Sequence, residues 1–322
     1  MQKNAHYREK HRLFFASAYV FFFILACVSV FSAENGRMRL VDDIVNGEMT
    51  VFEGETPVLT YRYVDRLPQG VPPQYVHSTY IHPLYSLDGQ VLTADFPLDH
   101  LHHHGLFWTW PEVKVRGFKT QTWHPADPPL RQYFVRWLKL EDEAGSVDLQ
   151  AENAWKLNNT ETVAREVLTL RVHEAGPVGR AVDVDIVLTA VGGPLELKGT
   201  DEGKKGYGGF CLRGAPLFKG CALTTDEGPL TKDATNTPFL WADMSTDKVG
   251  VAVFPSPDHP GFPVRWLIRN SYAGVINVSW PGLDLFVIKD GESVRLTYRI
   301  YIHRGGAQTG DVPQAYRDFI KK

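Results

Sequence analysis

The segment AVDVDIVLTAV (residues 181–191) decides the fold, because its apolar and polar residues alternate one by one. Side chains of a β-strand point to opposite faces in turn, so this alternation places the apolar residues on one face. A second segment, SVRLTYRIYI (residues 293–302), alternates in the same way. Both segments therefore predict half-buried strands, with one face on a hydrophobic core and the other on polar surroundings.

Further period-two runs occur at residues 134–140, 146–151 and 163–172. Gly, Pro and Asp turns separate these runs, and many such strands divided by turns favour a sandwich or a barrel. We predict an all-β fold, a large antiparallel two-sheet β-sandwich. No linker, repeat or charge block divides residues 34–322, which indicates a single domain.

One short helix is predicted at the C-terminal end of the chain. Asp311 is a favourable capping residue, and Pro313 suits the first helical turn. An apolar stripe follows at helical spacing, formed by Ala315, Tyr316, Phe319 and Ile320. Such a stripe is typical of a helix that packs one face on the rest of the domain.

The first 33 residues resemble a targeting segment. Four basic residues precede residue 13, and an apolar stretch follows from Leu13 to Ala33. This order is typical of a secretory signal, and the apolar stretch is also long enough for a membrane anchor. The residues Ile24-Leu25-Ala26-Cys27 resemble a lipoprotein processing site, which would place a lipid on Cys27. We therefore predict export to the periplasm or the outside of the cell, with membrane contact only through this segment.

Charge and cysteine content narrow the class of protein. The formal net charge is −3, and Lys and Arg are dispersed rather than gathered in a basic stripe. This distribution argues against a nucleic-acid partner. Cys211 and Cys221 lie in the main domain, where an oxidising compartment permits a disulfide and two buried thiols fit equally well.

Histidines concentrate in the segment DFPLDHLHHHGLFWTW (residues 95–110). Imidazole has an ordinary pKa of about 6.5, so it exchanges protons near neutral pH, and it is a common ligand for transition metals. His100, His102 and His103 can therefore serve acid–base chemistry or a zinc or copper ion, although so short a spacing needs a bent backbone. A surface loop with spare imidazoles is the alternative. The apolar residues that follow predict a buried strand that anchors this loop.

A glycine-rich segment, GTDEGKKGYGGFCLR (residues 199–213), supplies further polar groups. Its glycines indicate a close-turning loop before a strand, with Glu202 and Tyr207 on the loop. Arg213, on the predicted strand, can pair with a carboxylate or bind a charged substrate group through two hydrogen bonds. The acidic side chains of the loop can equally be solvated.

Two other residues complete the candidate set. His82, in the segment TYIHPLY (residues 79–85), points toward the same pocket or donates to a backbone carbonyl. Trp266 offers an aromatic face on which a sugar ring can stack, although a tryptophan in a large sandwich more often belongs to the core.

The order of these motifs resembles that of secreted bacterial proteins described as PmoA-like, or methane oxygenase PmoA. The resemblance covers nearly the whole mature chain and rests on residues 80–108, 199–213, 251–269 and 298–303. This chain departs from the family pattern at residues 99–104, where relatives have Asp-His-Pro-His-His-Arg and this chain has DHLHHH. His104 thus replaces a basic arginine position. Asp201 also stands at a position where a lysine is expected.

The resemblance implies a β-sandwich akin to the galactose mutarotase superfamily and a carbohydrate-related enzyme. In mutarotase-like proteins a histidine acid and a carboxylate base act on a bound sugar. The membrane-bound methane oxygenase subunit crosses the bilayer many times, whereas this chain has one apolar segment, at its N-terminus. The family label therefore does not describe the activity.

Three hypotheses stay open. The first is an exported enzyme that acts on a sugar or oligosaccharide, with His103 first and His100 second as the histidine that exchanges a proton, and Glu202 as the complementary carboxylate. The second is a metalloprotein that binds zinc or copper through His100, His102 and His103. The third is a non-catalytic glycan-binding module that uses the same polar residues.

The first hypothesis assigns substrate binding to His82, His102, Asp99, Tyr207, Arg213 and Trp266. It also predicts two pKa shifts. A carboxylate such as Asp99 favours the charged form of a nearby histidine, which raises the histidine pKa and suits an acid. Desolvation of Glu202 by Tyr207 and Phe210 raises the pKa of this carboxylate and suits a base.

Overall fold

A computed structural model describes residues 36–270 and 274–321 of the chain. Its first strands are β1 (Met38–Asp43), β2 (Glu48–Glu53), β3 (Thr56–Arg62), β4 (Tyr80–Leu84), β5 (Leu106–Thr109), β6 (Glu112–Val115), β7 (Phe118–Thr120), β8 (Leu130–Glu143), β9 (Ser146–Leu157), β10 (Glu161–His173) and β11 (Gly179–Ala190). The later strands are β12 (Leu195–Lys198), β13 (Gly209–Arg213), β14 (Ala222–Thr225), β15 (Gly228–Pro229), β16 (Ala234–Pro238), β17 (Ala242–Ser245), β18 (Val249–Pro255), β19 (Arg265–Arg269), β20 (Val275–Ser279), β21 (Phe286–Ile288) and β22 (Ser293–Arg304). One α-helix, α1 (Val312–Ile320), follows, and short 3₁₀ turns cover Pro73–Tyr75, Glu202–Lys204 and Pro216–Phe218.

The described strands form three sheets. Two sheets have nine strands each, in the orders β1-β2-β3-β4-β5-β13-β20-β19-β16 and β15-β14-β17-β18-β22-β11-β10-β9-β8. A four-stranded sheet, β21-β12-β6-β7, adds to them. Residues of both large sheets join one hydrophobic core, in which Trp108 of the first sheet and Leu168 of the second are buried. The predicted all-β, two-sheet antiparallel sandwich is confirmed, and the small third sheet was not foreseen.

The two alternating segments that predicted the fold pair with each other. β11 runs antiparallel to β22, with Val184 opposite Tyr298 and Ile186 opposite Leu296. These four side chains are buried in the core. The apolar face predicted for each strand is therefore the face that packs in the sandwich.

The C-terminal helix packs on the second large sheet through the stripe that the sequence indicated. The rings of Tyr316 and Phe319 lie 5.5 and 6.3 Å from the ring of Phe254 in β18. Asp311 occupies the capping position but forms no capping hydrogen bond with its side chain, because its backbone adopts a left-handed conformation with φ of 55°. The predicted helix is confirmed, and the predicted capping interaction is wrong.

Two predictions concern features outside this packing. Residues 1–35, which contain the predicted targeting segment and Cys27, lie outside the described residues. In the described ranges, no helix combines the length and the apolar character needed to span a bilayer. Cys211 and Cys221 are both free and buried, so the structure has the two thiols and not the disulfide.

A buried carboxylate joins the two large sheets. Glu166 of β10 accepts hydrogen bonds from the indole nitrogens of Trp108 and Trp155, each at 2.9 Å, and from Asn153 Nδ2 at 2.8 Å. Trp108 belongs to the first sheet, and the other two donors belong to β9 of the second. Asn153 in turn contacts the hydroxyl of Tyr61 in β3. Burial raises the pKa of Glu166, and the three donors act against this rise.

Replacing Glu166 by alanine should strongly destabilise the protein. The substitution leaves three buried donors without an acceptor, and each such donor costs about 1–3 kcal/mol. We expect the free energy of unfolding in urea to fall by about 3 kcal/mol or more. The control is Glu161→Ala on the same strand, which removes only a surface ion pair with Arg116 and should cost about 1 kcal/mol or less. Equal effects of the two substitutions would contradict the role given to Glu166.

Candidate functional site

The histidine loop (residues 95–104) lies between β4 and β5. An isolated antiparallel bridge pairs Asp95 with His104 and closes the loop at its base. Gly105 follows with a φ of 65°, and a Cβ atom there would lie 2.4 Å from the backbone oxygen of Ile81. Only glycine combines this conformation with so close an approach. The chain can therefore pass from the loop directly into β5.

The histidine loop lines a cleft of about 280 Å³, called here the histidine cleft. Its walls are His100, His102, His103, Trp123, His124, Glu202, Lys205, Tyr207, Leu267, Arg269 and Val275. Five predicted site residues meet here, from two segments about 100 positions apart in sequence: the three histidines of the loop, Glu202 and Tyr207. The histidines and the carboxylate of the enzyme hypothesis thus line one cavity.

Arg213 and Asp99 hold the loop from behind the cleft. Arg213 Nη2 donates to both oxygens of Asp99, at 2.9 and 2.7 Å, and Nη1 lies 3.4 Å from Nδ1 of His103. A guanidinium only donates, so His103 accepts at Nδ1 and its own proton resides on Nε2. Arg213 is 3% exposed. This pair orients His103 from behind. The sequence hypothesis expected Asp99 and Arg213 to bind substrate, but neither residue lines the cleft.

The imidazoles of His102, His103 and His124 are uncharged at neutral pH. Burial first, and then the neighbouring histidines, lower the pKa of His103 well below 6.5 and that of His102 to about 2. Burial also lowers the pKa of His124, whose ring centroid lies 3.9 Å from that of His102. Charged rings so close together would repel one another in a poorly solvated site. The expectation that Asp99 raises the pKa is therefore wrong for His103, since Arg213 neutralises Asp99 and burial dominates.

Glu202 is an exposed carboxylate at the rim of the cleft. Lys205 Nζ donates to Glu202 Oε1 at 2.7 Å, and the Glu202 side chain is 69% exposed. This hydrogen bond is the main cause of a lowered pKa, so Glu202 is ionised at neutral pH. The expected rise in pKa is wrong because Phe210 lies in the core, stacked on Tyr298, and Tyr207 packs on Trp123.

Two predicted binding residues lie away from the histidine cleft. Trp266 is fully buried in the core, where its indole nitrogen donates to the backbone oxygen of Phe239 at 2.8 Å. His82 places Nδ1 2.9 Å from Oγ1 of Thr93 behind the loop. Burial lowers the pKa of His82 to about 4. Trp266 is therefore a core residue and offers no face to a sugar. His82 is hydrogen-bonded to Thr93 and does not line the cleft.

Six residues of the cleft were not predicted from the sequence as site residues: Trp123, His124, Lys205, Leu267, Arg269 and Val275. Trp123 and His124 belong to the loop after β7, far from the recognised motifs. An aromatic residue beside a histidine in a Pro-rich turn was the available signal, and it is a weak one. Lys205 and Arg269 each lie within a motif, but only the fold shows that they face the cleft.

A second cleft of about 190 Å³ adjoins the first, and His102, Trp123 and His124 line both. In its wall, His104 Nδ1 lies 3.1 Å from Asp95 Oδ1, and the Tyr80 hydroxyl donates to Asp95 Oδ2 at 2.9 Å. Burial lowers the pKa of His104 to about 3. A neutral His104 that donates from Nδ1 to Asp95 keeps a free electron pair on Nε2.

The predicted metal ligands pack against one another. The His100 and His103 rings are stacked with centroids 4.8 Å apart, and the His102 and His103 rings are 4.6 Å apart. Over residues 36–270 and 274–321, no three His, Cys, Asp or Glu side chains are arranged to hold a metal ion. Zinc or copper at these histidines stays a prediction, which metal analysis of the purified protein tests.

The fold and the site define a β-sandwich protein with a polar, histidine-lined cleft. The chain belongs to a family of unknown function, DUF6807, whose model matches residues 48–317. No curated protein matches it. The PmoA-like resemblance stays a prediction.

Two solved structures resemble the chain at low identity. A heparinase III with methylated lysines has a TM-score of 0.35 and 9% identity, over 84% of this chain and 34% of that chain. A GalM/aldose epimerase homologue from C. elegans has a TM-score of 0.32 and 7% identity, over 83% of this chain and 99% of that chain. The chain therefore spans about a third of the heparinase.

Acid should destabilise the protein through its buried histidines. The folded pKa of His102, about 2, lies below the ordinary value of 6.5, so between these values the unfolded chain binds a proton that the native protein lacks. The stability is fully present above pH 6.5 and is lost as the pH falls, by about 1.4 kcal/mol per pH unit for one such group.

Urea unfolding at about pH 6 and pH 5 measures this slope, and His102→Gln should reduce it by roughly 1.4 kcal/mol per pH unit. The comparison between the two proteins cancels the titration of groups that do not interact with His102. Identical slopes in wild type and variant would show that His102 is not held neutral by the fold.

Proposed function

We propose that this protein is an enzyme that binds a sugar or a short oligosaccharide in the histidine cleft and exchanges a proton with it. One observation carries the proposal: an ionised carboxylate, uncharged imidazoles and two aromatic rings line the same cavity. Ligand sites typically combine apolar walls with a few converging polar groups. This combination suits a molecule with many hydroxyl groups and one reacting C–H or O–H bond.

The aromatic wall suits the apolar face of a sugar ring. The rings of Trp123 and Tyr207 lie 4.8 Å apart at an angle of 45°. Together they border the cleft beside the histidines. A pyranose stacked on them would turn its hydroxyls toward the imidazoles, which offer both donors and acceptors.

The protonation states divide the chemical roles differently from the sequence hypothesis. Glu202 is ionised and can accept a proton at neutral pH, so it is the base. His103 is neutral with its proton on Nε2, and a neutral imidazole is a weak acid. Its role is to donate a hydrogen bond to the substrate oxygen on which negative charge develops, as preorganised donors do in other enzymes. His100, 3.1 Å from Asp99, is the second candidate for proton exchange.

A non-catalytic glycan-binding module is the competing interpretation of the same cleft. Both interpretations predict binding of a sugar, and only the enzyme predicts its conversion. The position of Glu202 favours the enzyme, because its carboxylate is ionised at the edge of a cavity that also holds the uncharged imidazoles of His102 and His103.

Replacement of the proposed base should abolish most of the activity. A panel of pyranosides and oligosaccharides, followed by NMR, identifies a converted substrate. With this substrate, Glu202→Gln should lower kcat by about 10²- to 10⁴-fold, because a positioned base contributes this much. His103→Gln should lower it by at least about tenfold, since a preorganised donor is lost.

Glu227→Gln is the matched control, because Glu227 is an exposed carboxylate on the turn between β14 and β15 and does not line the cleft. Its kcat should stay within about twofold of wild type, as expected for a surface substitution. A panel in which sugars bind without conversion would establish the binding module. Unchanged kcat in Glu202→Gln, with folding intact, would remove Glu202 from the reaction.

We further propose that the chain is exported, as residues 1–33 with their basic and then apolar order support. Fractionation of source cells should place the protein in the periplasm, outside the cell or at a membrane. Mass spectrometry of the N-terminus distinguishes a cleaved signal, an anchor and a lipid on Cys27. Full-length protein in the soluble cytoplasmic fraction would contradict export.

A further inference from the structure

We propose that the histidine cleft selects a sugar that carries a carboxylate, and that Arg269 binds this carboxylate. The inference rests on the proposed function, because it names the class of sugar for the same site. It comes from the charges around the cleft, which do not balance.

Among the described residues, the charged side chains at the cleft and behind it form two ion pairs and leave Arg269 unpaired. Lys205 is paired with Glu202 at 2.7 Å. Behind the cleft, Arg213 is paired with Asp99 at 2.7 Å. Arg269 lines the cleft and has no ion pair with any residue in 36–270 or 274–321. One positive charge is thus unbalanced, and a singly charged anion would neutralise it.

Within residues 36–270 and 274–321, Arg269 is also incompletely hydrogen-bonded. It is the last residue of β19, and its Nε is buried without a hydrogen-bond partner in the described part of the chain. The three residues between Asn270 and Gly274 are Ser, Tyr and Ala, none of which has a carboxylate. Buried donors are nearly always satisfied in folded proteins. A ligand that brings an acceptor to this edge of the cleft would complete the set.

A carboxylate fits this position better than other anions do. A guanidinium is planar and binds a carboxylate through two parallel hydrogen bonds. A phosphate carries close to two negative charges near neutral pH, and the second cation at the cleft, Lys205, is already paired with Glu202. The neutral imidazoles of His102 and His103 add donors but no positive charge. The balance favours a sugar acid with one carboxylate.

The position of Arg269 would also bring the carboxylate of a bound sugar acid near the proposed base, Glu202. Lys205 is the main cause of the lowered Glu202 pKa, and Arg269 contributes to it. The guanidinium is therefore close enough to the proposed base for their charges to interact. A sugar acid held by Arg269 would place the carbon atoms near its carboxylate within the part of the cleft that Glu202 borders.

Pairs of sugars that differ only in a carboxylate test the inference on the full-length protein. NMR titration compares methyl β-D-glucuronide with methyl β-D-glucoside, and the galacto-configured pair in the same way. We expect at least one of the two acids to bind about tenfold or more tightly than its neutral counterpart, and the ratio to fall as salt is added. Arg269→Gln should bring the ratio close to one, because the variant loses affinity mainly for the acid.

The control variant is Arg265→Gln, on the same strand but exposed and hydrogen-bonded to the backbone oxygen of Asn236; it should keep the wild-type ratio. Arg269→Lys, which keeps the charge but loses the two-pronged geometry, should retain only part of the preference. Circular dichroism and Tm establish that each variant is folded. The wild-type ratio and its salt dependence test the selectivity even if a variant fails to fold.

Equal affinity for the acid and the neutral sugar in both pairs would overturn the inference while the proposed function stands. An acid preference that survives in folded Arg269→Gln would overturn the assignment to Arg269. Tighter binding of glucose 6-phosphate than of either sugar acid would overturn the choice of a carboxylate. If neither these sugars nor any glycan of the panel binds, the proposed function itself fails.

Discussion

The carboxylate of Glu166 is the interaction on which the sandwich depends. A charge-bearing group in a hydrophobic core is costly unless its oxygens are hydrogen-bonded, and here three donors from two sheets supply those bonds. Trp108, one of the donors, lies in β5, two residues past the first residue of the strand and four past His104. The same contact that joins the sheets therefore fixes the strand into which the histidine loop leads.

The electrostatics of the cleft follow from this anchoring. The loop is held so close to the sheet that His102 and His103 lose most of their water, and desolvation then opposes their charged forms. Arg213 reinforces this state, since it takes up the charge of Asp99 and occupies Nδ1 of His103. Burial thus keeps the imidazoles of His102 and His103 neutral, so that each offers one hydrogen-bond donor and one acceptor. The ionised carboxylate of Glu202 stays at the rim, where water and Lys205 stabilise it.

Much of the fold could be predicted because strand alternation is a local signal. β11 and β22 were recognised from their own residues, and their apolar faces are the buried ones. The grouping of the histidine loop with Glu202 was also predictable from the order of the motifs. Protonation states were not, because pKa values depend on burial and on partners such as Lys205 that only the folded chain brings close. Trp123 and His124 were missed because only tertiary packing brings the loop after β7 to the cleft.

Gly105 has a consequence for recognising relatives of this protein. Its positive φ and the 2.4 Å approach to the Ile81 oxygen leave no room for a side chain. A protein that carries the histidines without this glycine would have to direct its loop along another path, and its imidazoles would line a different cavity. The histidine motif alone therefore does not establish that another protein forms the same cleft. We expect the glycine that follows the motif to distinguish proteins with the same cleft from proteins that share only the histidine sequence.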